Sequence, residues 1–341
     1  MKVYKVTINP LSNFGTSIKG DTLFGQICWK IFYKKDLLNK DLSELLKDYI
    51  TNPFIIVSSA CIETEDMLFL KRPSMPFDAL FDLRSKEIKD IIRERKELKK
   101  KEWIGVEKKS KIILFKSQSY LNNEELFEKI IKDIPTHEKR AFMKKGIKTV
   151  IKEFIQPHNT INRITGTTGE DQFAPFSVKQ LVYLPGISLC IFIGVREDIN
   201  IDGVVEALRL IGQTGFGKDA STGLGRFAVK KYEEFDLKAI GSDEPNACYT
   251  LSPCVPEKDL FSKAFFTPFT RFGRHGDILA KKGKPFKNPV IMADEGAVFV
   301  VNNSDVFKRS YIGTAITNLS KVEPNTVAQG YSLYIPVRVE A

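Results

Sequence analysis

The chain is 341 residues long, room for two domains or for one domain with large insertions. A hydrophobic fraction of 43% permits a sizeable core, and no apolar stretch approaches bilayer length, so no membrane partner is expected. The formal net charge of +10 favours a polyanionic partner through long-range attraction and counterion release, although a Lys- and Glu-rich thermostable surface would give similar counts.

In chain order, residues 2–8 alternate apolar and charged side chains and predict a strand. This start lacks the apolar centre of a signal peptide, which makes the cytoplasm the expected location. Residues 11–19 read as a loop. Gly20-Asp21-Thr22 then opens a helix, with Asp21 or Thr22 as N-cap and Leu23, Ile27, Ile31 and Phe32 on its apolar face, Trp29 nearby. Residues 41–50 predict a short amphipathic helix and 54–62 a buried strand. Residues 84–116 hold 13 Lys/Arg against 6 Asp/Glu and read as an exposed basic helical insertion, either a contact arm or a solvated face. Residues 122–134 and 137–152 are helical or mixed.

Residues 157–176 are polar and Gly/Thr-rich and read as a long loop or hairpin, a length that is functional or disordered in compact domains. Strand character returns over 177–195, broken by a turn at Pro185-Gly186, and 201–211 predict a helix. After the glycine run described next, 227–230 read as a strand. Residues 241–245 are the best linker, dividing an N-terminal unit 1–240 from a C-terminal unit 246–341. Beyond it, 248–255, 296–301 and 331–339 are strand-like and 273–288 form a basic, Gly-rich loop. A coarse β-α-β order on both sides permits two small α+β domains with antiparallel sheets. Five cysteines, Cys28, Cys61, Cys190, Cys248 and Cys254, show no C-x-x-C spacing and are expected as thiols rather than a disulfide scaffold or zinc site.

The run Gly212-Gln213-Thr214-Gly215-Phe216-Gly217-Lys218-Asp219-Ala220-Ser221-Thr222-Gly223-Leu224-Gly225-Arg226 carries the most chemistry. Residues 212–218 match the front of a P-loop, but Asp219 stands where the Mg²⁺-binding Ser or Thr belongs. The order is also reversed: this run follows a helix and enters a strand, so no helix N-terminus faces a phosphate. The partial dinucleotide fingerprint Gly215-x-Gly217-x-x-Ala220 fails on the same ground. What remains is a loop whose glycines allow positive φ and close approach, whose N–H groups can cradle an anion, and which carries Lys218, Arg226, Ser221 and Thr222. A purely structural turn is the other reading, though five glycines in 212–225 exceed what a turn needs.

Catalysis finds little support. The three histidines, His137, His158 and His275, lie far apart and in no metal spacing, and no G-x-S-x-G occurs. His158 and His275 sit in polar or basic loops that suit phosphate contact better than proton transfer.

Segment 215–227 resembles the glycine-rich loop of the RAMP superfamily of CRISPR proteins, and its Gly217-Lys218-Asp219-Ala220-Ser221-Thr222-Gly223-x-Gly225 form is similar to that of the type III-A (Csm complex) subunit that caps the CRISPR RNA 5′ end. Three companions are similar to other parts of that subunit: Ile18-Lys19-Gly20-Asp21-Thr22-Leu23-Phe24-Gly25, Asn162-Arg163-Ile164-Thr165-Gly166, and Pro285-Phe286-Lys287-Asn288-Pro289-Val290-Ile291-Met292 with 296–299. These ordered matches span the chain.

The resemblance implies an α+β chain of two ferredoxin-like (RRM-like) domains with antiparallel sheets, helical and loop insertions, and no enzyme activity. It implies a subunit that holds the repeat-derived 5′ tag of the guide RNA and links the large polymerase-like subunit to the adjacent RAMP backbone subunit, touching target RNA only indirectly. Segment 157–176 is the candidate thumb, with Phe173 or Phe176 as a wedge or as a loop anchor. A metal-independent endoribonuclease of the same superfamily is the alternative. The expected RNA contacts are Lys19, Gly20, Asp21, His158, Asn162, Arg163, Gly215, Phe216, Gly217, Lys218, Ser221, Thr222, Gly223, Arg226, Arg271, Arg274, Lys284 and Lys287. No cofactor or metal is expected.

Overall fold

The computed structural model describes residues 1–83, 87–112, 114–134, 136–144, 146–281 and 283–340. The protein is α+β, and every strand pair among the described residues is antiparallel. The N-terminal part runs β1 (Lys2–Pro10), α1 (Gly20–Tyr33), α2 (Leu42–Lys47), β2 (Ile55–Val57), β3 (Cys61–Glu63), β4 (Met67–Lys71), α3 (Phe77–Leu80), α4 (Ile88–Lys99), β5 (Trp103–Glu107), β6 (Ser119–Leu121), α5 (Asn123–Ile130) and α6 (Thr136–Lys144). It continues through β7 (Ile151–His158), β8 (Phe176–Tyr183), β9 (Ser188–Val195), α7 (Ile201–Thr214) and β10 (Phe227–Glu234). The main sheet has the order β10-β1-β9-β3-β4-β5-β6, with β2 also paired to β9.

β9 is the spine of this sheet, and its near-continuous apolar run is buried from Leu189 to Val195. A strand reads this way only when both faces are covered. α1 contributes Leu23, Phe24, Ile27 and Ile31 to the core, and α7 contributes Val204, Val205, Leu208 and Ile211. Phe32, expected on the buried face of α1, is half-exposed. The expected strand over 54–62 is two strands. The break at Ser58 and Ser59 lets one segment serve two sheets: the Ser58 N–H donates to Phe192 O (2.8 Å) and the Ser59 N–H to Leu251 O (2.9 Å).

The expected exposed insertion over 84–116 needs correction. α4 has no buried residue, but the following Trp103-Ile104-Gly105-Val106 returns to the main sheet as β5, with Ile104 and Val106 buried. The flanking lysines hid this short apolar run from a charge count. Residues 84–86 and 113 of that segment lie outside the described residues.

The C-terminal part contains β11 (Ala247–Thr250), β12 (Phe261–Phe265), β13 (Pro268–Arg271), β14 (Val290–Ala293), β15 (Val298–Val301), β16 (Tyr311–Gly313) and β17 (Tyr331–Val337). Its sheet runs β12-β15-β11-β17-β16, with β13 and β14 as a separate hairpin. Among its described residues the only helical turns are short 3-10 segments. The sheet packs by its period of two. Ala247, Tyr249, Leu333, Ile335 and Val337 join the main core, whereas Cys248 and Tyr334 face a small second cluster with Phe299 and Ile312. Segment 241–245 is packed rather than free: the Ser242 N–H donates to Pro336 O (2.8 Å).

One polar group is built into this core. Glu63 is almost fully buried and receives Thr7 Oγ1 (2.5 Å), Lys108 Nζ (2.7 Å) and Lys5 Nζ (3.2 Å), while Lys5 also pairs with Glu233 (2.8 Å). All five cysteines are free thiols. No described helix is long and apolar enough to cross a membrane.

Candidate nucleic-acid interface

The glycine run is fastened to residues 11–16, which follow β1. Arg226 O accepts the Leu11 N–H (2.8 Å), the Arg226 N–H donates to Ser12 Oγ (2.9 Å), and the Gly225 N–H donates to Asn13 O (2.7 Å). Gly215, Gly217, Gly223 and Gly225 all have positive φ. Three of them also meet close neighbours, Gly215 at Leu224 O, 2.3 Å from where its Cβ would sit. A Cβ on Gly225 would lie 2.1 Å from Phe216 O, and one on Gly217 would lie 2.1 Å from Thr16 Oγ1. Gly223, by contrast, faces open space.

Within this frame Lys218, Ser221, Thr222, Gly223 and Arg226 are exposed along one rim. The N–H groups of Gly217, Lys218 and Asp219 have no hydrogen-bond partner among the described residues. Asp219 Oδ2 is buried and likewise accepts no hydrogen bond there, although Lys218 Nζ lies 3.9 Å from it. Phe216 corrects the expectation of a ligand contact: its ring is fully buried in the core and anchors the loop, leaving it no face for RNA.

The segment expected as a thumb is a two-stranded ribbon. β7 and β8 pair from Ile151↔Tyr183 to His158↔Phe176, and 159–175 form its tip. The ribbon is mostly exposed, including Phe154, Ile155 and Phe176. At its outer end the His158 and Phe176 rings stack, with centroids 5.3 Å apart. The tip is ordered by a tight turn: the Gly166 N–H donates to Asn162 O (2.8 Å), and Asn162 Oδ1 accepts the Ile164 N–H (2.9 Å). Arg163 is exposed beside it.

The base of the ribbon lands on the segment that holds the glycine run. Phe14 and Leu181 form an antiparallel bridge, and the Asn13 side-chain amide donates to Gln180 Oε1 (2.8 Å). Asn13 therefore joins both elements, its carbonyl to Gly225 and its side chain to the ribbon. Sequence reasoning missed Asn13, Phe14 and Gln180, because an unremarkable loop became a junction only through pairing across more than 160 residues.

The start of α1 is an ionic clasp. Lys19, not Asp21 or Thr22, is the N-cap. Asp21 lies in the first turn and accepts two hydrogen bonds from Arg271 (2.6 and 2.9 Å), the bidentate geometry a guanidinium favours. Lys19 Nζ pairs with Asp294 and with Glu295 (3.0 Å). Burial opposes the Lys19 charge, but Glu295 and Asp294 outweigh it and raise its pKa. Gly20 is buried, with Val57 O 2.1 Å from where a Cβ would sit. Lys19, Gly20, Asp21 and Arg271, expected as RNA contacts, are thus engaged within the protein. They bind α1 to the C-terminal part.

Of the remaining basic residues, Arg274 and Lys284 are exposed, whereas Lys287 points inward and burial lowers its pKa. His275 is 5% exposed, with Nε2 2.8 Å from Ser320 Oγ. A cleft of about 770 Å³ lies between the ribbon base and the two sheets, lined in part by Lys19, Ser59, Trp103, Tyr183 and Tyr249. Among the described residues no cluster of three His, Cys, Asp or Glu side chains could hold a metal ion.

The architecture is that of chains found in type III CRISPR assemblies. A chain in the crystal structure of a Csm1–Csm4 cassette with AMPPNP superposes with a TM-score of 0.56 at 15% identity, covering 100% of both chains. A chain of the Csm3–Csm4 subcomplex in the type III-A CRISPR-Cas interference complex gives a TM-score of 0.55 at 14% identity, covering 98% of this chain and 99% of that one. Csm4 is the component these two assemblies share. No protein-family model matches the sequence, and no curated protein matches it.

Proposed function

We propose that this chain is a non-catalytic RNA-binding subunit of a type III-A CRISPR interference complex. In this role it holds the 5′ repeat-derived tag of the guide RNA and links the large signalling subunit to the backbone subunits. The observation that carries the reading is the convergence of glycine run and ribbon on Asn13. It sets a positively charged, N–H-rich rim beside an exposed two-stranded ribbon. The full-length likeness to chains of Csm4-containing assemblies supports the same role.

On this reading residues 1–240 form a ferredoxin-like domain. The order β10-β1-β9-β2/β3 with α1 and α7 on one face is the split β-α-β arrangement, and β4 to β6 extend it. Residues 246–341 form a reduced relative of that domain. Gly215, Gly217, Lys218, Ser221, Thr222, Gly223 and Arg226 grip the sugar-phosphate backbone. His158, Asn162 and Arg163 guide the strand along the ribbon, and Arg274, Lys284 and Lys287 supply positive field from the C-terminal part. The inner clasp of Lys19, Asp21 and Arg271 positions these elements.

The test is reconstitution with the large subunit, the backbone RAMP subunit and guide RNA. Omitting this chain is expected to expose the 5′ tag to nuclease and to release the large subunit. For the free chain, each of Lys218→Ala and Arg226→Ala is expected to lower the salt slope of tag binding by about 0.7, the contribution of one neutralised phosphate on a single strand. Cleavage of repeat RNA by the purified chain, lost in His158→Ala or His275→Ala, would instead establish the endoribonuclease reading.

A further inference from the structure

The tip of the β13–β14 hairpin, of which residues 272–281 and 283–289 are described, is a built lobe. Arg274 and Phe286 form an antiparallel bridge, flanked by the His275 N–H to Pro285 O and the Lys287 N–H to Gly273 O bonds, both 2.8 Å. These flanking bonds make Arg274 and Phe286 a non-hydrogen-bonded pair, the kind whose side chains approach most closely. The Arg274 guanidinium lies 5.9 Å from the Phe286 ring centroid. The lobe also rests on α1, since a Cβ on Gly276 would lie 2.8 Å from Trp29 Nε1.

Alternation sorts the lobe into two faces. His275 and Lys287 point inward, against Ser320 and the α1 side. Phe272, Arg274 and Phe286 point outward. Phe272 is 77% and Phe286 69% exposed, the two most exposed phenylalanines among the described residues. Residues 271–288 carry six Lys/Arg against one Asp; Arg271 is taken up by Asp21 and Lys287 points inward, while Arg274, Lys281 and Lys284 are exposed on the lobe with the rings.

Isolated exposed apolar side chains are ordinary, but two rings on one face of a bridged hairpin tip, one of them against a guanidinium, are not a random scatter. A protein partner would favour an apolar patch free of charge; Ile291, paired with Thr270, adds an exposed aliphatic side chain on the face of Phe272, but the Arg274 guanidinium stands against Phe286. Bases stack on aromatic and guanidinium faces whatever their sequence, and the surrounding cations suit the connecting phosphates.

From this face we infer a second RNA contact: Phe272 and Phe286, with Arg274 between them, form a stacking platform for unpaired bases. The inference rests on the RNA-binding role proposed above and adds to it a contact read by stacking rather than by charge. The platform and the glycine run lie on a common support: Gly217 abuts Thr16, Arg271 holds Asp21, and Gly276 packs on Trp29.

The experiment is fluorescence anisotropy of the full chain with a short labelled oligoadenylate and with an RNA duplex of equal length. Phe272→Ala/Phe286→Ala is expected to weaken single-strand binding by roughly tenfold or more. Duplex binding, the salt slope and the melting temperature should stay unchanged, and Phe286→Tyr alone should bind as wild type. Equal weakening on single strand and duplex, or no weakening on either, overturns the platform. So does a double variant that keeps its RNA affinity but no longer holds the large subunit, which would make the face a protein interface. Should Lys218→Ala and Arg226→Ala weaken tag binding while the aromatic variants do not, the platform falls and the proposed function stands. Failure of the wild-type chain to bind any single-stranded RNA would remove both.

Discussion

Replacing Glu63 with Gln is expected to destabilise the protein by about 3 kcal/mol, the lower end of the cost of breaking a buried ion pair by removing one partner. The Glu63 side chain is 4% exposed and that of Lys5 is 3% exposed. An amide fits the space, but it leaves Lys108 without its carboxylate and Lys5 with Glu233 alone. The loss should carry a pH signature. Burial works against the Glu63 charge, yet the hydrogen bonds from Lys108 and Thr7 and the nearby Lys5 outweigh it and hold the carboxyl below its ordinary value of 4.5. A carboxyl lowered in the folded state contributes stability above its unfolded pKa and loses it as pH falls through the folded value. The difference between wild type and Glu63→Gln in urea titrations should therefore be full at neutral pH and shrink in acid below 4.5. A difference that stays constant into strong acid would show that shape, not charge, is what the mutation removes.

The second large effect separates two glycines of the same loop. Gly225→Ala is expected to cost about 3 kcal/mol, combining left-handed backbone strain with overpacking. Its φ is +75°, and the new Cβ would meet Phe216 O at 2.1 Å and Phe216 N at 2.5 Å. Relief would have to separate two crossing backbones and would break the Gly225 bond to Asn13. Gly223→Ala is expected to cost about 1 kcal/mol, since its φ of +96° is strained but the space is open. Gly223→Val should weaken RNA binding more than it weakens folding, because a branched side chain there enlarges the exposed rim. Thermal melts and RNA titrations of the three variants check this. Equal destabilisation at both positions would mean that the loop is not pinned at Gly225.

Much of the architecture was legible from local pattern. The helix over 201–211, the strand at 2–8 and the hairpin turn at Pro185-Gly186 all follow from periodicity or turn chemistry, and each occurs at its expected place. β4, β12, β13 and β14 escaped notice. They are short, and two of them, β4 and β12, carry an exposed lysine, so neither clean alternation nor a long apolar run marked them. Asp21 shows the limit at a single residue. A carboxylate at a helix start reads as a cap, because the partner that actually takes it, Arg271, is 250 residues away.

The sequence by itself determined which residues have the chemistry to meet a polyanion: a glycine run able to adopt positive φ, cations along it, and a basic, Gly-rich loop over 273–288. Those properties are local and survive without a fold. Only the tertiary structure decided which of them face outward. The glycine run remained the centre of the site, but Phe216 turned into the core and Lys19 and Asp21 closed into ion pairs. Phe272 and Phe286 came to the surface beside Arg274. The physical reason is that burial and ion pairing are set by contacts between residues distant in sequence, and no local pattern encodes which cation will find its carboxylate inside the protein.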